Sequence, residues 1–287
     1  MSAASPTSDD IISAFELRRM GATEWADVMR SAPRERARFI RSAAEHGFKA
    51  AQIVWGQMLL DGTGVQRDRA AAHRWFSRAA AIGSPDGINM VGRCHELGWG
   101  VPVDHREALG WYRRAAENGS DWGAYNLGCM LLYGDGVPHD PAGALAAFRL
   151  SAERGNAKAM GFVGRCHDEG WGTARNGETA LSWYERAARG GDCWAQFNLA
   201  THLVASGRIE DAAAWLRQSL DSGTPNYLQA AGAALIGSDM PALAEIGGRA
   251  LARAAQEGAP SADEADRSPG MLQALRKLVR PRSLEPA

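Results

Sequence analysis

Two nonapeptides, GRCHELGWG at 92–100 and GRCHDEGWG at 164–172, each place a thiol, an imidazole and a carboxylate on consecutive positions, as Cys94-His95-Glu96 and Cys166-His167-Asp168. These are the side chains of metal ligation and of nucleophilic catalysis. A zinc site needs donors converging on one ion at about 2 Å, whereas adjacent residues on a helix point about 100° apart, so Cys-His on one turn is a poor chelate. Catalysis needs a partner motif. The chain has no GxSxG, no HExxH (His95-Glu96 lacks the second histidine) and no SxxK. Its Gly-x-Gly segments lack the strand-to-helix setting and the Lys-Ser/Thr of a phosphate loop. The sequence therefore predicts no catalytic residue, no metal and no other cofactor.

The elements that carry the two peptides explain their likeness. Aligned on itself, the chain falls into units at 49–84, 85–120, 121–156 and 157–192, each 36 residues long, then a shortened unit at 193–224 and a degenerate one at 225–259. A half-unit at 37–48 precedes them, behind an N-terminal helical cap at 1–36 carrying Ile12, Phe15, Leu17, Trp25, Val28 and Met29. Ala108, Trp111, Tyr112, Ala115 and Ala116 recur at helical spacing up to Gly119, which suits a left-handed C-cap. Ala124, Leu127, Gly128 and Leu131 stripe the first helix of their unit, with Gly128 small enough for the partner helix to approach. The second helices open at Asp68, Asp104, Asp140 and Asn176, good N-caps, with Pro141 at a first helical position. The two nonapeptides stand two units apart, at identical places, which inheritance of a 72-residue cassette explains without any ligand. At roughly 10 Å per helix layer, two units of stacking would hold His95 and His167 about 40 Å apart, too far for one ion.

No unit of this length buries its own apolar stripe, so neighbours must stack, and the expected fold is all-α, a right-handed superhelical solenoid of helix-turn-helix repeats. Bulk composition agrees with an ordered protein: 287 residues, 45% hydrophobic, net charge −1. No segment reaches the ~18 apolar residues of a membrane span, and MSAASPTSDD at the start has no basic-then-apolar leader pattern. Cys94, Cys129, Cys166 and Cys193 fall singly, which suits reduced thiols. The expectation is a cytoplasmic, monomeric protein with no integral membrane association.

The pattern L-G-x-x-x-x-x-G-x-G-V, then D, then A-x-x-W-Y-x-x-A-A-x-x-G, clearest in 127–155 and 91–119, resembles the Sel-one-like repeat (SLR) family, a tetratricopeptide-like α-solenoid. His95 and His167 stand where the family usually has tyrosine, and Thr173 replaces the turn valine. The resemblance implies a bacterial adaptor that assembles signalling or regulatory complexes by binding a protein or extended peptide in its concave groove. The alternative it implies is a hydrolase or β-lactam-binding protein, as suggested for cysteine-rich relatives. Those carry a cysteine pair in each repeat, where this chain has Ala79-Ala80, Ala115-Ala116 and Ala187-Ala188.

In tetratricopeptide-type solenoids the first helices line the groove, and the second, fifth, ninth, twelfth and thirteenth places of each unit face it. That assigns a partner-binding surface to Arg93, Trp122, Tyr125, Tyr133, Lys158, Arg165, Trp194 and Phe197, aromatics and arginines of the kind that dominate interfaces. Gly161 is expected to leave an open floor between Tyr125 and Phe197. Beside this stands a plainer reading, in which Trp122 and Trp194 cover preceding turns and Asn126 and Asn198 bond across repeats. Glu96, Asp168 and Glu169 among the basic residues favour a peptide of mixed charge over nucleic acid, whose phosphates they would repel. At the far end, 260–287 reads as a linker followed by a short basic amphipathic helix, MLQALRKLVRP.

Overall fold

The 36-residue period is realised as pairs of thirteen-residue helices. The computed structural model describes residues 12–134 and 136–257. Among these run α1 (Ala14–Arg19), α2 (Ala22–Arg30), α3 (Pro33–Glu45), α4 (Lys49–Asp61), α5 (Arg69–Ala81), α6 (Pro85–Leu97), α7 (His105–Glu117), α8 (Asp121–Tyr133), α9 (Pro141–Glu153), α10 (Ala157–Glu169), α11 (Gly177–Arg189), α12 (Cys193–Ala205), α13 (Ile209–Ser222), α14 (Pro225–Leu235) and α15 (Pro241–Glu257). No described residue is in a strand. The linker and basic helix expected at 260–287 lie outside the described residues.

Side-chain caps fix where each helix starts. Asp68 and Asn176 accept the N–H groups of Ala71 and Thr179, Asp104 those of Arg106 and Glu107, and Asp140 that of Gly143. First helices have caps of their own in the last residue of the preceding unit. Ser84, Ser120, Asn156 and Asp192 accept from Gly87, Gly123, Ala159 and Ala195. Such caps are each worth about 1 kcal/mol. The turn between paired helices depends on glycine: Gly100 has φ +77°, and a Cβ there would lie 2.3 Å from the Arg69 carbonyl oxygen.

Packing follows one rule inside every complete unit. A glycine on the first helix meets an aromatic ring on the second: Gly56 and Phe76, Gly92 and Tyr112, Gly128 and Phe148, Gly164 and Tyr184. Each ring is at most 1% exposed, and burying one stabilises by roughly 1.5–3 kcal/mol. Behind the rings, Ala79-Ala80, Ala115-Ala116 and Ala187-Ala188 let the next first helix come close.

The chain divides into two compact units, residues 1–151 and 152–287. In the first, successive helices from α2 to α8 pack on one another and α6 also touches α8. The N-terminal helices lie on α3, with Ile12 N–H donating to Ser42 Oγ at 3.0 Å and Leu17 and Val28 buried. Phe15 and Met29, expected in the same apolar stripe, are instead 69% and 45% exposed; α1 is only six residues long, and the chain bends at Met20 before α2 begins. In the second unit α10 to α13 pair as before, α14 packs on α15, and the core centres on Tyr184, Phe197, Leu216 and Tyr227.

Candidate interaction surface

In the first unit the first helices α6 and α8 are joined by Asn126 Nδ2 donating to Asn89 Oδ1 at 2.9 Å. One turn on from Asn89, Arg93 is half-buried, its guanidinium 4.7 Å above the ring of Trp99, which the interhelical turn folds back. Glu96 accepts a hydrogen bond from Tyr112 at 2.5 Å, and burial together with that carboxylate pushes the phenol well above its usual range. On α8, Trp122 is 43% exposed and meets Tyr125 edge-on at 5.6 Å. Tyr125 leans on Phe148 at 6.0 Å. Tyr133, at the end of α8, is half-buried. Arg93, Trp122, Tyr125 and Tyr133 thus sit on two first helices that touch.

In the second unit Lys158 is exposed at the start of α10. Arg165 lies 5.1 Å from the Phe162 ring and 4.8 Å from the Trp171 ring, the arrangement of Arg93 and Trp99 repeated. Among the described residues no carboxylate pairs with it, and its Nη2 is buried with no hydrogen-bond acceptor. The nearby carboxylates are turned elsewhere, Asp168 to His202 Nε2 at 3.6 Å and Glu169 to Arg175 at 3.4 Å. A guanidinium held over an aromatic face gains about 0.5–1 kcal/mol at exposed sites.

Two expectations need correction here. Phe197 is 0% exposed, at the centre of the core, with Tyr227 of α14 edge-on at 6.5 Å, so it cannot meet a partner. Gly161 leaves no open floor: it is buried, and a Cβ on it would lie 3.2 Å from Asp192 Oδ1. Trp194 stays half-buried, its ring 4.7 Å from that of Tyr227.

The Cys-His pairs serve the packing. Cys94 and Cys166 are 0% exposed, and burial pushes the Cys94 thiol up to about 12, so it carries almost no thiolate at neutral pH. His167 is 8% exposed, while His95 meets the His73 ring edge-on at 5.9 Å. Among the described residues no group of three or more His, Cys, Asp or Glu is placed to hold a metal ion. Sequence reasoning missed Trp99 and Trp171 as the supports of Arg93 and Arg165. The signal was present, since tryptophan enters the Gly-x-Gly turn in the same two units that carry the Cys-His pair.

The Sel1 repeat matches residues 49–84, 85–120, 123–156 and 157–192. The chain belongs to the Sel1 repeat family. Proteins built from Sel1 repeats generally mediate protein interactions, and the fold is typically a scaffold without catalysis. Among solved structures, a Sel1 repeat protein from Oxalobacter formigenes is 24% identical with a TM-score of 0.68, covering 83% of this chain and 100% of that one. A protective antigen present in uropathogenic Escherichia coli strains and displaying an SLR fold is 29% identical with a TM-score of 0.59; the match covers 79% of this chain and 50% of the antigen. An immunity protein from Pseudomonas aeruginosa, 18% identical over 72% of this chain and 81% of its own, shares the fold at a TM-score of 0.52. Comparison with curated proteins gives no match. No helix among the described residues is long and apolar enough to cross a membrane.

Proposed function

We infer that this Sel1 repeat chain is a non-enzymatic adaptor that binds a protein or extended peptide on its first-helix faces, and that it works as a monomer in the bacterial cytoplasm in assembling signalling or regulatory complexes. One observation carries the reading: Arg93 and Arg165 each hold the guanidinium over the ring of a turn tryptophan, at 4.7 and 4.8 Å, and each is only half-buried. Preorganised arginine and partly exposed aromatics such as Trp122 and Tyr125 are the side chains around which binding energy concentrates. Lys158, Tyr133 and Trp194 border these centres. The four cysteines are all unbridged, which suits a reducing compartment. The buried, protonated Cys94 argues against a thiol nucleophile and hence against the hydrolase alternative.

The test is a partner recovered from the native host by crosslinking and then titrated as purified protein. Arg93→Ala, Arg165→Ala and Tyr125→Ala are each expected to weaken it by about tenfold, within the range of hot-spot truncations, while the melting temperature stays within a few degrees. Reproducible turnover of a β-lactam or an ester, abolished by one substitution, would overturn the reading. So would a partner whose affinity ignores all three changes.

A further inference from the structure

The bond between α6 and α8 joins two side-chain amides and leaves hydrogen-bonding groups over on both. Asn126 Nδ2 donates to Asn89 Oδ1 at 2.9 Å. An amide side chain has donors on its nitrogen and an acceptor oxygen, so Asn89 Nδ2 and Asn126 Oδ1 remain. Neither has a hydrogen-bond partner among the described residues, and neither is sealed from solvent. Asn89 is only 6% exposed, so its amide is fixed in place while its nitrogen still lacks an acceptor. Turning both amides over changes nothing essential: one bond would still join them, with one donor nitrogen and one acceptor oxygen left. Packing does not call for amides here. At the place of Asn89 the other units carry Ile53, Tyr125, Gly161 and Phe197, and at that of Asn126 they carry Val54, Met90, Phe162 and Asn198. Only repeats two and three bring asparagine to both sides of the contact.

The amide pair lies between side chains of the surface described above. On α6, Arg93 is one turn beyond Asn89; on α8, Trp122 is one turn before Asn126. Both helices open their units and run the same way, so Trp122 stands toward one end of the pair and Arg93 toward the other, each about 6 Å along the helix axis. Trp122 is 43% exposed, with Tyr125 edge-on at 5.6 Å, and Arg93 is half-buried over Trp99. In an extended chain the N–H and C=O of one residue point to the same side, as in a hydrogen-bonded strand pair. Such a residue presents one donor and one acceptor, the complement of what the amides leave over. Successive side chains of that chain point opposite ways, so one goes to the Trp122 end and its neighbour to Arg93.

We propose that Asn89 and Asn126 grip the main chain of an extended peptide lying across α6 and α8, Asn89 Nδ2 donating to the carbonyl oxygen of one residue and Asn126 Oδ1 accepting from its N–H. The segment carries an apolar or aromatic side chain for Trp122 next to an acidic one for Arg93. This rests on the first-helix faces being the partner-binding surface, and it specifies how the partner is held there. The test starts from random peptides displayed on phage and selected against the full chain. The selected peptides are expected to share an apolar residue beside Asp or Glu and to bind Arg93→Ala about tenfold more weakly. One of them is then remade with each backbone amide in turn replaced by an ester, which removes an N–H. An ester at one position should weaken binding about fivefold, and that loss should disappear in Asn126→Val, which carries the residue found at 54. Asn89→Ile, with the residue found at 53, serves in its place if Asn126→Val does not fold. An ester scan that is flat at every position overturns the proposal, as does an ester loss that persists in the variant; the surface reading then stands if Arg93→Ala and Tyr125→Ala still weaken the peptide. Selected peptides that ignore both of those changes overturn the two together. Failure to enrich any peptide overturns the main-chain grip alone, because the native partner tests the surface separately.

Discussion

Repeats two and four carry the same nonapeptide frame, yet they dispose of its carboxylate differently. In repeat two Glu96 is taken by Tyr112 of the same repeat. In repeat four the carboxylate belongs to Asp168, one methylene shorter, and it faces His202 of repeat five at 3.6 Å. His202 stands at the tenth place of its unit, where repeat three has the buried Met130. The surroundings of the two carboxylates are otherwise alike: a buried cysteine, a ring against a glycine, and an arginine on a tryptophan. A single CH₂, with a polar residue in the next repeat, converts a bond closed within one unit into a contact between units.

The frame itself should be equally intolerant in both repeats, and the largest effect tests that. A Cβ on Gly92 or Gly164 would come within 2.8 and 2.7 Å of a tyrosine ring, so Gly92→Val and Gly164→Val should each cost ~3 kcal/mol in urea denaturation; a clear inequality would break the equivalence. Next comes the phenol. Tyr112→Phe removes the hydroxyl that donates to Glu96 and should cost ~2 kcal/mol, with Tyr184→Phe costing less than half of that. Equal losses would show that the missing methylene does not matter. Asp168→Glu sharpens the point: the coupling of ~0.5 kcal/mol expected between Asp168 and His202 in a double-mutant cycle should vanish with glutamate in place.

The smallest effect concerns acid. Burial, then the charges of His95 and Arg74, lower the His73 pKa from its ordinary 6.5. The unfolded chain therefore takes the proton first, and stability falls as pH drops below 6.5 toward the folded-state value. His73→Leu, the residue found at 109, 145 and 181, should flatten that slope in melting curves taken between pH 7.5 and 5. An unchanged slope would place the acid sensitivity elsewhere.

Local constraints were legible in the sequence, and coverage by distant elements was not. Asp68, Asp104, Asp140 and Asn176 cap the helices they were expected to cap, because a cap is decided within three residues. Gly128 meets the Phe148 ring as its small size and helix position required. Asn126 bonds across repeats, as the plainer reading had it. Phe197 was misplaced because openness at the fifth place depends on helices further down the chain. Asn89, Tyr125 and Phe197 occupy the same register, but Phe197 is packed against Tyr227, thirty residues downstream. The stacking of Arg93 on Trp99 needs the turn to fold back over its own helix, which a linear motif does not disclose.

The caps at Ser84, Ser120, Asn156 and Asp192 have a consequence for how such a chain is edited. Each closes one unit in sequence while opening the next in space, so the seams behave like a reading frame. Material added or removed in multiples of 36 residues across a seam delivers a cap to every helix start; a cut out of phase strands backbone donors at a buried junction. Repeat five, 193–224, shows where a change of length is absorbed instead. Its seams are intact, with Asp192 capping α12 and Thr224 capping α14. The missing residues come from the turn between its helices, 206–208 against 62–68 in repeat one. A lineage that grows by copying would keep the seams and trim the turns.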